Sequence, residues 1–102
     1  MGLLNRRTTT ETSEKIEKEM TIINRLGLHA RPAAMFVRVA SKHRCDIWVA
    51  KEGEEISGKS IMGLMMLAAG QGSILRVRAE GPDAAQAIQE IEQLIQARFN
   101  ED

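Results

Sequence analysis

Two spacings of hydrophobic residues alternate along the chain from residue 20 onward. Short apolar or alternating segments predict strands at 20–24, 46–51, 54–57 and 75–80. Apolar residues three and four positions apart predict helices at 32–41, 60–67 and 83–95. The predicted order is therefore β-α-β-β-α-β-α.

This order predicts an α+β fold, an open-faced sandwich with three helices on one face of a four-stranded antiparallel sheet. Glu52 and Gly53 form the turn signal of a hairpin, and Ser60 is a typical helix N-cap. Asp83, with Gln86 three residues later, resembles a capping pair at the start of the last helix.

The first 19 residues differ from the rest, since a cluster of Thr and Ser is followed by alternating Glu and Lys. So few apolar residues cannot offset the entropy lost on ordering. We therefore predict a flexible N-terminal extension over residues 1–19 and one folded domain over residues 20–102.

Composition excludes several classes of protein. Hydrophobic residues make up 43% of the chain and charged residues 27%, as in an average soluble domain. No apolar stretch approaches the length of a membrane span, so we expect no membrane insertion. The single cysteine, Cys45, favours a reducing cytoplasm. No spacing of His, Cys and carboxylates resembles a metal site, and we expect no cofactor.

The charges are balanced overall but unevenly placed. Fourteen basic and 14 acidic residues give a net charge of zero, yet residues 25–44 contain basic residues and no acidic one. This block suits an anionic ligand or an acidic partner surface. A neutral chain with one Trp and two Phe predicts no nucleic-acid binding. His43, at the end of the block, is expected at the surface.

The segment LGLHARPA at 26–33 places His29 in the turn between the first strand and the first helix. A helix start presents unpaired N–H groups and the positive end of the helix dipole, and both attract anions. An imidazole nitrogen can act as a nucleophile, and the Arg31 guanidinium can hold phosphate oxygens. Together these residues predict a phosphoryl group carried on His29. The structural alternative is that His29 only fills the turn or caps the helix.

A second motif points to another class of function. Residues 53–60, GEEISGKS, match the phosphate-loop pattern GxxxxGK[ST]. Nucleotide binding is the weaker interpretation, because Glu54 and Glu55 would repel a triphosphate. Only 42 residues follow Ser60, too few for the parallel sheet on which such sites are built.

The second predicted helix, IMGLMML at 61–67, is apolar almost all round. A small domain cannot bury every side of it, so part of its surface is expected to dock a partner. Methionine side chains adapt to several partner shapes. We predict that Leu64 and Leu67 pack inward and that Met62 and Met65 contact partners.

The runs at 26–34 and 58–63, with the Gly-Gln-Gly loop at 70–72, closely resemble the histidine-containing phosphocarrier (HPr) family of the phosphoenolpyruvate-dependent sugar phosphotransferase system. The resemblance covers about residues 18–99. It implies that His29 accepts a phosphoryl group from phosphorylated enzyme I and donates it to an enzyme II A domain in sugar uptake. It also implies that Arg31 lies beside the phosphate.

The resemblance further implies that Ser60 is the regulatory serine that an HPr kinase/phosphorylase modifies in many bacteria. A phosphate there would add a charge of about −1.5 to −2 to a surface that must meet acidic partners. The structural alternative is that Ser60 is only a helix N-cap.

We therefore expect a monomeric, cytoplasmic carrier that works inside enzyme complexes and is not a free-standing enzyme. Two alternatives remain open. One is a regulatory, nitrogen-related branch of the phosphotransfer system. The other is a binding module that docks onto a kinase or transcription factor without transferring a phosphoryl group.

Overall fold

A four-stranded antiparallel sheet with three helices forms the fold in the computed structural model, which describes residues 14–101. The sheet order is β1-β4-β2-β3, so the first and last strands pair at one side of the sheet. The strands are β1 (Lys15–Thr21), β2 (Asp46–Lys51), β3 (Glu54–Ser57) and β4 (Ile74–Glu80). The helices are α1 (Ala30–Ser41), α2 (Ile61–Met66) and α3 (Ala84–Gln96), followed by a 3-10 turn (Arg98–Asn100). The predicted α+β fold and its element order are confirmed.

One face of the sheet is apolar and lies under the helices. Val49 of β2 and Val77 of β4 are paired neighbours, and both are fully buried. Phe36 of α1 and Ile91 of α3 are also fully buried in the same core. Alternation along the strands sends every second side chain to this face, which explains the spacing in the sequence.

The opposite face of the sheet carries charged and aromatic side chains. The Arg78 guanidinium lies over the Trp48 ring, 5.6 Å from its centroid. Arg78 also donates to Glu80 at 2.7 Å and to Glu55 at 3.1 Å. Charges of both signs therefore keep this face polar while Arg78 covers part of the indole.

The N-terminal boundary was predicted wrongly. Strand β1 runs over Lys15–Thr21, five residues earlier than the predicted start, so residues 15–19 are not part of a flexible extension. Glu17 and Glu19 pair across the ladder with Arg78 and Arg76 of β4, and Lys18 donates to Glu92 of α3 at 2.8 Å. The alternating charges at residues 15–19 therefore lie on a strand at the edge of the sheet, with most of their side chains exposed. Residues 1–13 of the predicted extension lie outside the described residues.

His43 is buried, contrary to the expectation of a surface residue. Its side chain is 6% exposed and lies between two carboxylates. Its Nδ1 is 3.2 Å from Asp83 Oδ2, and its Nε2 is 3.0 Å from Glu90 Oε1. These hydrogen-bond contacts connect the segment after α1 to the start and the middle of helix α3.

Asp83 occupies the N-cap position of α3 but makes no capping hydrogen bond, so the predicted capping pair with Gln86 is wrong. Its carboxylate instead accepts from the backbone N–H groups of Arg44 at 3.0 Å and Cys45 at 2.9 Å. Partial burial alone would raise the pKa of Asp83, but these bonds and the contact with His43 hold it well below its usual range. The hydrogen bond with His43 likewise lowers the pKa of Glu90.

The His43 cluster generates a prediction about acid stability. Both carboxylates have lowered pKa values, so they stabilise the fold above about pH 5, and that contribution is lost as the pH falls through the acidic range. We expect Asp83→Asn to reduce the free energy of unfolding at pH 7 by about 1–3 kcal/mol and to flatten its loss in acid. Urea denaturation over a pH series measures both effects.

Glu54→Gln, at an exposed carboxylate of β3, is the matched control and should leave both quantities unchanged. If the free energy of unfolding fell by the same amount in acid for Asp83→Asn and for the unmodified protein, Asp83 would not be a source of the acid sensitivity.

Candidate functional site

The loop between β1 and α1 carries His29 and is fixed at both ends. Ile22 and Leu28 are buried in the core. The backbone N–H of Ile22 donates to Ser73 O, and that of Leu28 donates to Ala69 O, each at 2.9 Å. The loop is therefore held against the segment that follows α2, and His29 stands on a rigid support.

Gly27 adopts the left-handed region, with φ +71°. A Cβ atom at this position would lie 2.4 Å from Ala69 O and 2.8 Å from the Cα of Gly70. Both the conformation and the close approach exclude a larger side chain without movement of the backbone. The glycine is thus what allows the loop to lie against the segment after α2.

His29 is the N-cap residue of α1, but its side chain makes no capping hydrogen bond. The side chain is 38% exposed, and Nε2 lies 3.0 Å from Glu101 Oε1. A carboxylate oxygen can only accept, so this contact is a hydrogen bond when Nε2 carries the proton. In the neutral ring the lone pair is then on Nδ1. The His29 side chain therefore does not cap the helix, and its ring contacts a carboxylate 72 positions away in the sequence instead.

Glu101 is a site residue that the sequence analysis missed. It is held by the turn over Arg98–Asn100, whose three residues all have φ between 53° and 59°. Left-handed backbone is unfavourable for such residues, by about 1–2 kcal/mol each. Phe99 at the centre of the turn is 2% exposed, and its burial offsets part of this cost. The only feature of the sequence that could have indicated this turn is a large apolar residue, Phe99, after the last predicted helix.

Asn24 contacts both the His29 loop and Glu101 from the protein interior. It is fully buried, and its Nδ2 donates to Gly27 O at 2.9 Å and to Glu101 Oε1 at 3.0 Å. The hydrogen bond with His29 is the largest influence on the pKa of Glu101 and lowers it, and Asn24 acts in the same direction. Glu101 is therefore held as a carboxylate that accepts from two side chains.

Arg31 lies in the first turn of α1 with an exposed side chain. Its positive charge contributes to the lowered pKa of Glu101, so its field reaches the site. His29 and Arg31 therefore both lie at the start of α1, and their role as an anion site stays a prediction.

Ser60 is the N-cap of α2, as predicted, and its Oγ accepts from the Gly63 N–H at 2.9 Å. Leu64 and Leu67 are buried, also as predicted. Met62 is 72% exposed and Met65 44%.

A shallow apolar depression of about 520 Å³ lies on the outer side of α2. Met62 and Met65 line it together with Ile61 and Met66. We call these four side chains the methionine patch.

The phosphate-loop pattern at 53–60 does not form a phosphate-binding loop. It contains β3 (Glu54–Ser57), whose residues pair with β2, and ends in the cap of α2. Lys59 Nζ donates to His43 O at 2.9 Å. Between residues 14 and 101, no group of three or more His, Cys, Asp or Glu side chains has an arrangement that could hold a metal ion. No helix in this part of the chain is long and apolar enough to cross a membrane.

Comparisons with known proteins agree on one family. A family model described as "PTS HPr component phosphorylation site" matches residues 16–97. The phosphocarrier protein HPr of Xylella fastidiosa is 46% identical over 87 residues, covering 85% of this chain and 98% of the relative. The solved HPr-C-His structure from Thermoanaerobacter tengcongensis is 45% identical, with a TM-score of 0.83 over 85% of this chain and 98% of that one. A solved HPr dimer from the same organism is 46% identical, with a TM-score of 0.69 over 82% and 99% of the two chains.

The close approach at Gly27 generates a second prediction. We expect Gly27→Ala to lower the free energy of unfolding by about 3 kcal/mol, because it combines left-handed strain with overlap on backbone atoms. Gly72→Ala is the matched control, since Gly72 also has a left-handed φ of +91° but has open space around its Cβ position. It should lose only about 1 kcal/mol. Equal losses in chemical denaturation would show that the overlap contributes nothing.

Proposed function

Because the chain belongs to the HPr family of the phosphotransferase system, we propose that His29 accepts a phosphoryl group from phosphorylated enzyme I and passes it to an enzyme II A domain in sugar uptake. The observation that carries this proposal is the contact between His29 Nε2 and the Glu101 carboxylate at 3.0 Å. It leaves Nδ1 as the basic nitrogen of an exposed ring at the start of a helix.

In the proposed step, the lone pair of Nδ1 attacks the phosphorus of the phosphorylated donor. The bond between phosphorus and the donor breaks, and its electron pair stays on the donor. The proton on Nε2 is not transferred, so the imidazole ring gains positive charge as the new bond forms. The Glu101 carboxylate opposes that charge, as a buried carboxylate does for the histidine of a catalytic triad.

The phosphoryl oxygens would meet positive potential from two sources. The first N–H groups of α1 have no partner within the helix, and the helix dipole adds to their attraction for an anion. Arg31, in the first turn, supplies a guanidinium that can bind two phosphate oxygens at once. The phosphoryl group on His29 would also be accessible to a partner, because the His29 side chain is 38% exposed.

The methionine patch is proposed as the surface that enzyme I and enzyme II A domains contact. Four exposed apolar side chains on one short helix are unusual for a small soluble domain unless they meet a partner. Ser60, at the N-terminus of the same helix, is the proposed regulatory site for an HPr kinase/phosphorylase. A phosphate there would bring negative charge to the edge of the patch.

The proposed carrier acts in the cytoplasm as a monomer and without a cofactor. It is a phosphoryl carrier rather than a free-standing enzyme, because the chemistry needs the partner that supplies or receives the group. A regulatory, nitrogen-related branch would use the same transfer step with a different receiver. A non-transferring binding module is the alternative from another class.

The transfer proposal is tested by incubation with enzyme I, Mg²⁺ and phosphoenolpyruvate, followed by intact-mass and peptide mapping. We expect an acid-labile gain of one phosphate on His29 and none in His29→Ala. Arg31→Ala should still accept the group but about tenfold more slowly, because one charged contact to the phosphate is lost. No transfer to a folded protein from a competent enzyme I, or full biological activity of His29→Ala, would favour the binding module.

The methionine patch is tested by Met62→Glu, which should weaken binding to enzyme I about tenfold without unfolding the domain. Ile74→Glu is the matched control, because Ile74 is 56% exposed, apolar and outside the patch. Binding by calorimetry and thermal unfolding are measured for both variants. A loss of thermal stability with intact transfer would contradict the assignment.

The two roles of Ser60 are separated by a pair of variants. Ser60→Ala should lower the free energy of unfolding by about 1 kcal/mol through loss of the cap, with transfer intact. Ser60→Asp keeps a capping side chain but adds negative charge, so it should slow transfer without a comparable loss of stability. Transfer by Ser60→Asp at the rate of the unmodified protein would argue that Ser60 is only a cap.

A further inference from the structure

We propose that Asn24 is a positioning residue for the transfer step, because its buried amide fixes the Glu101 carboxylate and, through it, the ring of His29. The inference rests on the proposed function for its consequence, but its structural part concerns the unphosphorylated protein. Asn24 precedes His29 by five residues and lies 77 positions from Glu101, so only the folded chain brings the three together.

The orientation of the Asn24 amide is determined by its surroundings. Nδ2 has two acceptors, Gly27 O at 2.9 Å and Glu101 Oε1 at 3.0 Å. A flipped amide would place Oδ1 against both of these oxygens, and no hydrogen could lie between them. The NH₂ group therefore faces the loop and the carboxylate at the same time.

The carbonyl oxygen of the Asn24 side chain indicates that the NH₂ group makes the favourable contacts of this residue. Oδ1 of Asn24 is buried, and no hydrogen-bond partner for it is found among the described residues. A buried acceptor without a partner is unfavourable, and an apolar side chain would avoid it. The favourable part of the amide at this position is its pair of donated hydrogen bonds.

Those bonds restrict a side chain that would otherwise be mobile. Glu101 follows the turn over Arg98–Asn100 and lies outside any helix or strand, and glutamate has several rotatable bonds. The same oxygen, Oε1, accepts from Asn24 Nδ2 and lies 3.0 Å from His29 Nε2. Asn24 thus holds Glu101 in the position in which it accepts from the imidazole, as outer partners orient ligands and catalytic groups elsewhere.

The consequence for His29 is a choice of tautomer. With Glu101 in place, the proton of the neutral ring is on Nε2 and the lone pair is on Nδ1. Without that acceptor, both tautomers are populated, and the fraction of molecules with a nucleophilic Nδ1 falls. The ring also rotates more freely, so fewer encounters with the donor are productive.

The test begins with the tautomer of His29, measured by ¹⁵N NMR at about pH 8 before any phosphoryl donor is added. The unmodified protein should show the Nε2–H form, and Asn24→Asp should show a mixture, because a carboxylate of the same size cannot donate and repels Glu101. The rate of transfer from enzyme I should fall about tenfold, with an unchanged KM for enzyme I. Asn100→Asp is the matched control, since it adds the same charge beside Glu101 at an exposed position.

A double-mutant cycle with Glu101→Ala distinguishes positioning from ordinary structural support. If Asn24 acts through Glu101, Asn24→Asp should have no further effect on tautomer or rate once Glu101 has been removed. Independent, additive effects would overturn the proposal, and so would a folded Asn24→Asp that keeps the Nε2–H form and the full rate.

A reciprocal measurement needs no change at the buried residue. Glu101→Ala removes one acceptor of the Asn24 amide, so the Asn24 side-chain NH₂ protons should exchange faster and shift in the NMR spectrum. Unchanged NH₂ signals would contradict the contact itself. If the tautomer responds as expected but the unmodified protein accepts no phosphate, the positioning stands as structure and the proposed transfer function fails.

Discussion

Burial of a single face of the sheet is the constraint on which the rest of the molecule depends. Val49 and Val77 stand side by side on the buried face, while Trp48 and Arg78 are paired on the other. Three helices cover the apolar face. As a result, the loop before α1, the segment after α2 and the turn after α3 lie close to one another. The loop before α1 bonds to the segment after α2, and the turn after α3 reaches the same place.

The site is assembled at this meeting point from parts that have no local relation in the sequence. Phe99 anchors the final turn in the core, the turn presents Glu101, and Glu101 lies against His29. Asn24 supports the carboxylate from the buried side. These two contacts restrict the Glu101 side chain, which reduces the entropy that the proposed docking of a partner would cost.

Charged residues account for the main errors of the sequence-based prediction. Alternating charges at 15–19 are equally consistent with a solvated tail and with an edge strand, because local pattern contains no information about the partner strand. His43 and Asp83 look like surface and capping residues, yet they bind each other across 40 positions of sequence. A hydrogen bond between two distant side chains is defined by both members, and only the fold brings them into contact.

The sequence by itself determined the element order, the apolar face of each element, the Ser60 cap and the placement of His29 at a helix start, because all of these depend on spacing within about ten residues. Only the tertiary structure decided that β1 includes residues 15–19, that His43 is buried between carboxylates, and that Glu101 and Asn24 belong to the His29 site. These features join segments 40 to 77 positions apart. Such contacts form when burial of one shared core brings distant segments together, and no local periodicity encodes them.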